Sequence, residues 1–341
     1  MSQPIEIIQR DGQTVVRIAT PRLQADLELS PAPPVYQAGA ARTPDDIRRA
    51  IGDWQQQGYC LEDAGVLACV TPANALHHTV LTAASPLLNA ACFPRLIDRN
   101  SDRPSELHFL GLTNTRPGVY PIVDNLSHLE SLMAAGAQII QLRMKSEHCT
   151  PEIRHAIHKA VELNRRYPAC QLFINDYWQE AIEAGAYGVH LGQEDLLVAD
   201  LSAIARQGLR LGVSSHAFWE VTRALCIHPS YIACGPLFPT RAKKMPWISQ
   251  GIDNLRYWVR LIPCPVIGIG GVNEGNLHEI HASGCASASI IQAIVSAADP
   301  AKEYQRLQAM WLEWETVGDL GLEDSGSRTD PLVLAKPTLA T

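Results

Sequence analysis

The sequence predicts an α/β protein, a (β/α)8 TIM barrel preceded by a small α+β module, and three observations carry that expectation. The chain has 341 residues, long for one ordinary domain, but a barrel of about 220 residues with a smaller unit attached fits it. From Gly118 onward, short apolar runs alternate with amphipathic stretches, and eight such units in about 190 residues suit a closed barrel better than an open doubly wound sheet. Hydrophobic residues make up 46% and charged residues 18%, enough apolar material for a large core.

Composition also bounds the function. A net charge of −7 and a pI near 5.9 speak against a nucleic-acid or anionic-membrane surface, which needs a basic face. An anionic ligand must then be met by local cations. The nine cysteines (60, 69, 92, 149, 170, 226, 234, 264 and 285) are odd in number and form no C-x-x-C. They read as reduced, mostly buried small hydrophobes, with neither a zinc site nor a disulfide framework. MSQPIEIIQRDG lacks the basic and apolar regions of a signal peptide, and no apolar run is long enough for a bilayer span, so a cytoplasmic protein is expected.

Taken in order, residues 14–19 and 23–29 read as strands. The second alternates Leu23, Ala25, Leu27 and Leu29 with Gln24, Asp26 and Glu28, the pattern of a sheet with one wet face. SPAPP at 30–34 is a linker. Thr43-Pro44-Asp45-Asp46 then starts a helix with a cap, a proline in the first turn and acidic residues, and Ile47, Ile51 and Trp54 form its apolar stripe. Residues 61–92 are apolar and Ala-rich, and 97–107 is a polar connector. Adjacent His77 and His78 point in different directions and have no third ligand nearby, so they are not read as a metal site. Residues 1–110 are taken as a module without catalytic residues, 111–316 as the barrel, and 317–341, ending SGSRTDPLVLAKPTLAT, as a mobile tail.

Candidate barrel strands are 118–123, 137–143, 171–174, 187–190, 210–213, 231–234, 265–269 and 286–289. Ser127-x-x-Glu130 reads as a capping box and Thr150-Pro151-Glu152 as an N-cap with a following proline. Active sites in this fold lie at the C-terminal strand ends. There the sequence collects Gln141, Arg143 and Lys145; Asn175 and Asp176; His190, Gln193 and Asp195; Ser214, Ser215 and His216; and Thr240, Lys243 and Lys244 in a Gly- and Pro-shaped loop. Gly268 to Gly271 and Ser289 complete the ring. His190 reads as either interior-facing or a satisfied core histidine.

Parallel neighbouring strands let Asp176 and Asp195 converge, and two such carboxylates suit Mg2+, which leaves its other positions to water and phosphate oxygens. Helix capping is the alternative for each aspartate. Glycines after the seventh strand let backbone N–H groups approach an oxyanion, in the usual phosphate region of such barrels. Two anion sites and no covalent nucleophile imply two phosphorylated substrates and charge stabilisation on a leaving pyrophosphate.

Together IQLRMK at 140–145, FINDYW at 173–178, YGVHLGQEDL at 187–196, LGVSSH at 211–216, GPLFPT at 235–240 and IGIGGV at 267–272 resemble the thiamine phosphate synthase family from about residue 111 to about 300. The resemblance implies transfer of an aminopyrimidine-methyl group from its pyrophosphate ester to the nitrogen of a thiazole phosphate, with Mg2+ assisting pyrophosphate departure. By motif, Asp176 and Asp195 would hold the metal. Gln141, Arg143, Lys145, Asn175 and Lys243 would bind the pyrimidine pyrophosphate, with Ser214 near its ring; Arg143, Lys145, Lys243 and Ser214 carry the catalytic roles. Thr240, Gly271, Ser289, Ile291 and Gln292 would receive the thiazole phosphate.

Ala242 stands where the family carries a second Thr, and Gln292 where it carries Ser, which weakens that phosphate site by about 0.5–1.5 kcal/mol per lost hydrogen bond. The rival expectations are a thiazole tautomerase centred on His216 and a non-catalytic thiamine-phosphate sensor. Partners are small molecules, with no nucleic acid or membrane, and homo-oligomerisation is open.

Overall fold

The computed structural model describes residues 4–29, 43–71, 80–81, 85–99, 107–146, 148–240, 246–320 and 332–339. At the N-terminus, β1 (Ile5–Arg10) and β2 (Gln13–Ala19) form a hairpin. Its two-residue turn, Asp11-Gly12, has φ of 51° and 79°, the left-handed pair that suits the right-handed twist of the flanking strands. β3 (Gln24–Glu28) pairs with β2. Next come α1 (Pro44–Gln56), closed by a Thr43/Asp46 capping box, α2 (Leu61–Val70) and the short β4 (Val80–Leu81). β5 (Arg95–Asp98) completes an antiparallel sheet in the order β1-β2-β3-β5. Two of its four strands were not anticipated: β1, despite its Asp-Gly turn, and β5, which overlaps the expected polar connector at 97–107.

The barrel strands are β6 (Gly118–Val123), β7 (Ile139–Leu142), β8 (Gln171–Asn175), β9 (Gly188–Leu191), β10 (Arg210–Ser215), β11 (Tyr231–Cys234), β12 (Val266–Ile269) and β13 (Ser287–Ile290). All neighbours are parallel and the ring closes through Ser287–Ile290 beside Gly118–Pro121. The (β/α)8 expectation is met. The helices are α3 (Leu126–Ala134), α4 (Pro151–Asn164), α5 (Trp178–Ala184), α6 (Asp195–Val198), α7 (Leu201–Arg206), α8 (Phe218–Leu225), α9 (Gly251–Leu261), α10 (Glu274–Ala282), α11 (Gln292–Val295) and α12 (Pro300–Leu320). Thr150 caps α4 as expected. The Ser127 capping box is corrected: Asn125 caps α3 by accepting from His128 N, and Ser127 lies inside the helix.

Inside the barrel, Tyr120, Ile139, Phe173, Tyr231, Ala233 and Ile267 form a core of their own, with Leu112. Gly212 makes room for it: a Cβ there would lie 2.1 Å from Cζ of Tyr231, closer than any packed carbon tolerates. Outside, the N-terminal module packs on α8. Ala217 offers that helix no side-chain cap, and Asp63 of α2 supplies one by accepting from Trp219 N at 3.0 Å, meeting an N–H that the helix cannot satisfy itself.

Of the expected mobile tail at 317–341, residues 317–320 and 332–339 are described, and they are held in place. α12 runs to Leu320, and β14 (Leu332–Val333) pairs antiparallel with β4. Leu334 and Ala335 are buried, Asn254 brackets the backbone of Lys336, and Tyr59 donates to Ala335 O. Leu334 and Ala335 are the part of the tail that burial rewards. SPAPP at 30–34 and His77-His78 lie outside the described residues. Among the described residues no helix is long and apolar enough to cross a membrane.

Candidate active site at the barrel mouth

Period two along the strands, counted from the interior core, puts Gln141, Asn175, His190, Ser214 and Ser289 on the inner face one step nearer the C-terminal mouth. There they form a chain. Gln141 Nε2 donates to Tyr120 Oη at 3.1 Å, Tyr120 Oη lies 3.0 Å from Tyr231 Oη, and Tyr231 Oη lies 2.7 Å from His190 Nδ1. His190 Nε2 lies 2.8 Å from Ser214 Oγ.

Burial pushes both phenols up, so each stays protonated and has one proton to give. One direction satisfies every member: Gln141 to Tyr120, Tyr120 to Tyr231, Tyr231 to Nδ1 of a neutral His190, and Nε2–H to Ser214. His190 is thus both interior-facing and a satisfied core histidine.

Asp176 follows β8 with φ of 64°, a left-handed conformation that a short polar side chain tolerates, and its N–H donates to His190 O at 3.0 Å. Asp195 opens α6, and its Oδ2 accepts from Gly192 N at 2.9 Å. The two carboxyl groups meet. Asp176 is held above the usual carboxylate range, first by desolvation, then by the charge of Asp195 and a hydrogen bond with it, while Arg143 opposes the rise. Asp176 remains open to water at the mouth, which moderates the effect. Arg143, half-buried just beyond β7, is drawn below its ordinary value by desolvation and pulled back by Asp176. The three groups therefore share one electrostatic environment.

Among the described residues, no cluster of three or more His, Cys, Asp or Glu side chains could hold a metal ion. A carboxylate pair is instead the partial ligand set that Mg2+ takes when substrate phosphate supplies the rest.

On the other side of the mouth, Gly270 and Gly271 have φ of 95° and 70°. A Cβ at Gly271 would lie 2.7 Å from Cβ of Phe238, so both conformation and space require glycine there. Ser289 Oγ is buried and has no hydrogen-bond partner among the described residues, an orphan of the kind that ligands satisfy. Thr240 is half-buried beyond β11, and Lys145 is exposed. Ile291 is the N-cap of α11.

The Gln292 side chain accepts on Oε1 from Ser296 Oγ at 3.1 Å; a long amide at a helix start reaches its own next turn. Ala242, Lys243 and Lys244 lie outside the described residues. His216 gives both its N–H and its ring Nδ1 to Glu220 Oε2, at 2.6 and 2.7 Å, and stacks on Trp247. Tyr120 and Tyr231 escaped the sequence reading, because strands buried on both faces show no alternation to mark an inward polar residue; Arg223, on α8, escaped it because its partners Asp98 and Gln193 lie far from it in sequence.

Fold and site together define a parallel α/β barrel enzyme with a carboxylate pair and a cation at its mouth. A family model described as thiamine monophosphate synthase matches residues 119–294, and the chain belongs to that family. It is 46% identical over 198 residues to a thiamine-phosphate synthase of Neisseria meningitidis serogroup A, covering 56% of this chain and 93% of the relative. With a thiamine-phosphate synthase of Enterobacter sp. strain 638 it shares 45% over 205 residues, covering 60% and 94%. A solved thiamine phosphate pyrophosphorylase from Pyrococcus furiosus superposes with a TM-score of 0.53 at 27% identity, covering 59% of this chain and 98% of that one.

Proposed function

We propose that this protein is a thiamine-phosphate synthase, joining 4-amino-2-methyl-5-hydroxymethylpyrimidine diphosphate to 4-methyl-5-(2-phosphooxyethyl)thiazole. The observation that carries the reading is the meeting of Asp176, Asp195 and Arg143 at the barrel mouth in a chain of this family. The bond from the pyrimidine methylene carbon to the diphosphate oxygen breaks, and its electron pair leaves with pyrophosphate. The thiazole nitrogen lone pair then forms the new C–N bond. No proton is taken up or lost at the reacting atoms, which agrees with a site that needs no covalent nucleophile or strong base.

Arg143 and Lys145 hold the diphosphate, Lys243 joins them, and Asn175 and Gln141 orient the pyrimidine with Ser214 against its ring. Ser214 is suited to that task because His190 fixes its hydroxyl. Mg2+ held by Asp176 and Asp195 would supply the charge neutralisation that makes pyrophosphate a good leaving group. Thr240, the Gly271 backbone, Ser289 and the backbone at Ile291 and Gln292 receive the thiazole phosphate. The same reading has the enzyme working in the cytoplasm on small phosphorylated molecules.

Full-length protein supplied with both substrates and Mg2+ is expected to release pyrophosphate. Asp176→Ala or Asp195→Ala should lower kcat by about 100-fold, the scale of removing one charge-stabilising group. Turnover that persists in chelator would refute the metal assignment. The hydrogen bond between His216 and Glu220 is the feature a tautomerase reading would build on, so proton exchange on the thiazole without pyrophosphate release would favour that second reading.

A further inference from the structure

The N-terminal module reaches the barrel mouth through one buried run of hydrogen bonds. Asp98, the last residue of β5, accepts on Oδ1 from Arg223 Nη2 at 2.7 Å and Nε at 3.2 Å, with the two side chains 4% and 3% exposed. Arg223 Nη1 donates to Gln193 Oε1 at 3.1 Å. Gln193 donates from Nε2 to Ser214 O at 2.8 Å and to Ser215 Oγ at 3.3 Å. A guanidinium has donors only, so Arg223 decides which end of the Gln193 amide faces it and leaves the NH2 group for Ser214. Gln193 stands two residues before Asp195, and its amide therefore ties the Asp195 turn to the end of β10. Arg223 lies over the Trp219 ring on the helix whose first turn Asp63 caps, so the module holds α8 along its length.

We propose that Asp98 and Arg223 are positioning residues for the barrel site. Through them the N-terminal module sets Gln193 and fixes the Asp195 turn relative to Ser214. The inference rests on the reaction assigned above, and neither residue touches substrate. Without the carboxylate, a desolvated guanidinium seeks other acceptors, Gln193 loses its fixed orientation, and the strand end drifts from the turn.

The test uses full-length protein and steady-state kinetics with both substrates. Asp98→Asn is expected to raise KM for the pyrimidine diphosphate about tenfold while KM for the thiazole phosphate stays within about twofold. Gln193→Ala should reproduce that split, and the double variant should be no worse than Gln193→Ala alone, since both changes cut one chain. A purely structural role would lower the melting temperature and the active fraction, leave both KM values unchanged and give additive effects; that result overturns the proposal. If Asp98→Asn does not fold, Asp98→Leu with Arg223→Met removes both buried charges together and is judged by the same two KM values. A wild-type protein that releases no pyrophosphate sinks the functional reading instead. Hydrogen exchange at the amides of 212–216 then decides the positioning claim, with faster exchange in Asp98→Asn supporting it and unchanged exchange overturning it.

Discussion

Ser289 shows what a single buried hydroxyl can report. Its Oγ has no partner among the described residues, and an unmet polar group inside a protein costs about 1–3 kcal/mol. Ser289→Ala should therefore leave the melting temperature level or raise it. If the hydroxyl meets the thiazole phosphate, KM for that substrate should rise about 2- to 12-fold, the equivalent of a neutral hydrogen bond of about 0.5–1.5 kcal/mol. A drop in stability with unchanged KM would remove Ser289 from the site. Residues of this kind were legible because barrel strand ends are predictable from the repeating pattern, and the carboxylates, Arg143 and the glycine turn all stand there. The Tyr120–Tyr231–His190 chain was not, since each of its links joins residues distant in sequence and only the closed ring brings them together.

Among the elements, α8 has the most borrowed support. Its cap comes from Asp63 on α2, whose carboxyl is pushed up from 3.8 to about 7, first by burial and against the pull of the Trp219 N–H, with Glu220 and Glu62 adding to the rise. A folded-state pKa above the unfolded one favours folding fully below the unfolded value, and the contribution is lost as pH rises toward the folded value. Between pH of about 4 and about 7 Asp63 should therefore cost the fold progressively more. Asp63→Asn keeps an oxygen for Trp219 N and cannot ionise. Its stability relative to wild type should climb across that interval by about 2–4 kcal/mol, read from denaturant melts at several pH values; a gap that does not change with pH would refute the argument. The sequence disclosed α1 and α4 through their own caps, but α3 was assigned the wrong one, because Asn125 and Ser127 are both competent caps and local sequence does not rank them. For α8 the residue at the cap position, Ala217, gave no cap signal, as the capping carboxylate lies 156 residues away.

Across the whole molecule, the eightfold repeat carried the architecture and the N-terminal strands were only half seen. The tail misled for a physical reason: polar, Gly- and Ser-containing sequence precedes a short apolar run that finds its burial on a distant surface. Removing residues 332–341 should cost about 2–4 kcal/mol, mostly the loss of the buried Leu334 and its neighbours, visible as a lower denaturation midpoint; an unchanged midpoint would mean that the segment contributes nothing to the fold. The pairing of β4 with β14 has one more consequence. It joins positions about 250 residues apart, so bringing its halves together closes a very large chain loop, and two residues a side repay little of that entropy. We expect this seam to be sewn after the barrel is complete and to be the first stitch to give on warming, with amide exchange at Val333 faster than in the barrel strands; equal protection there would refute it.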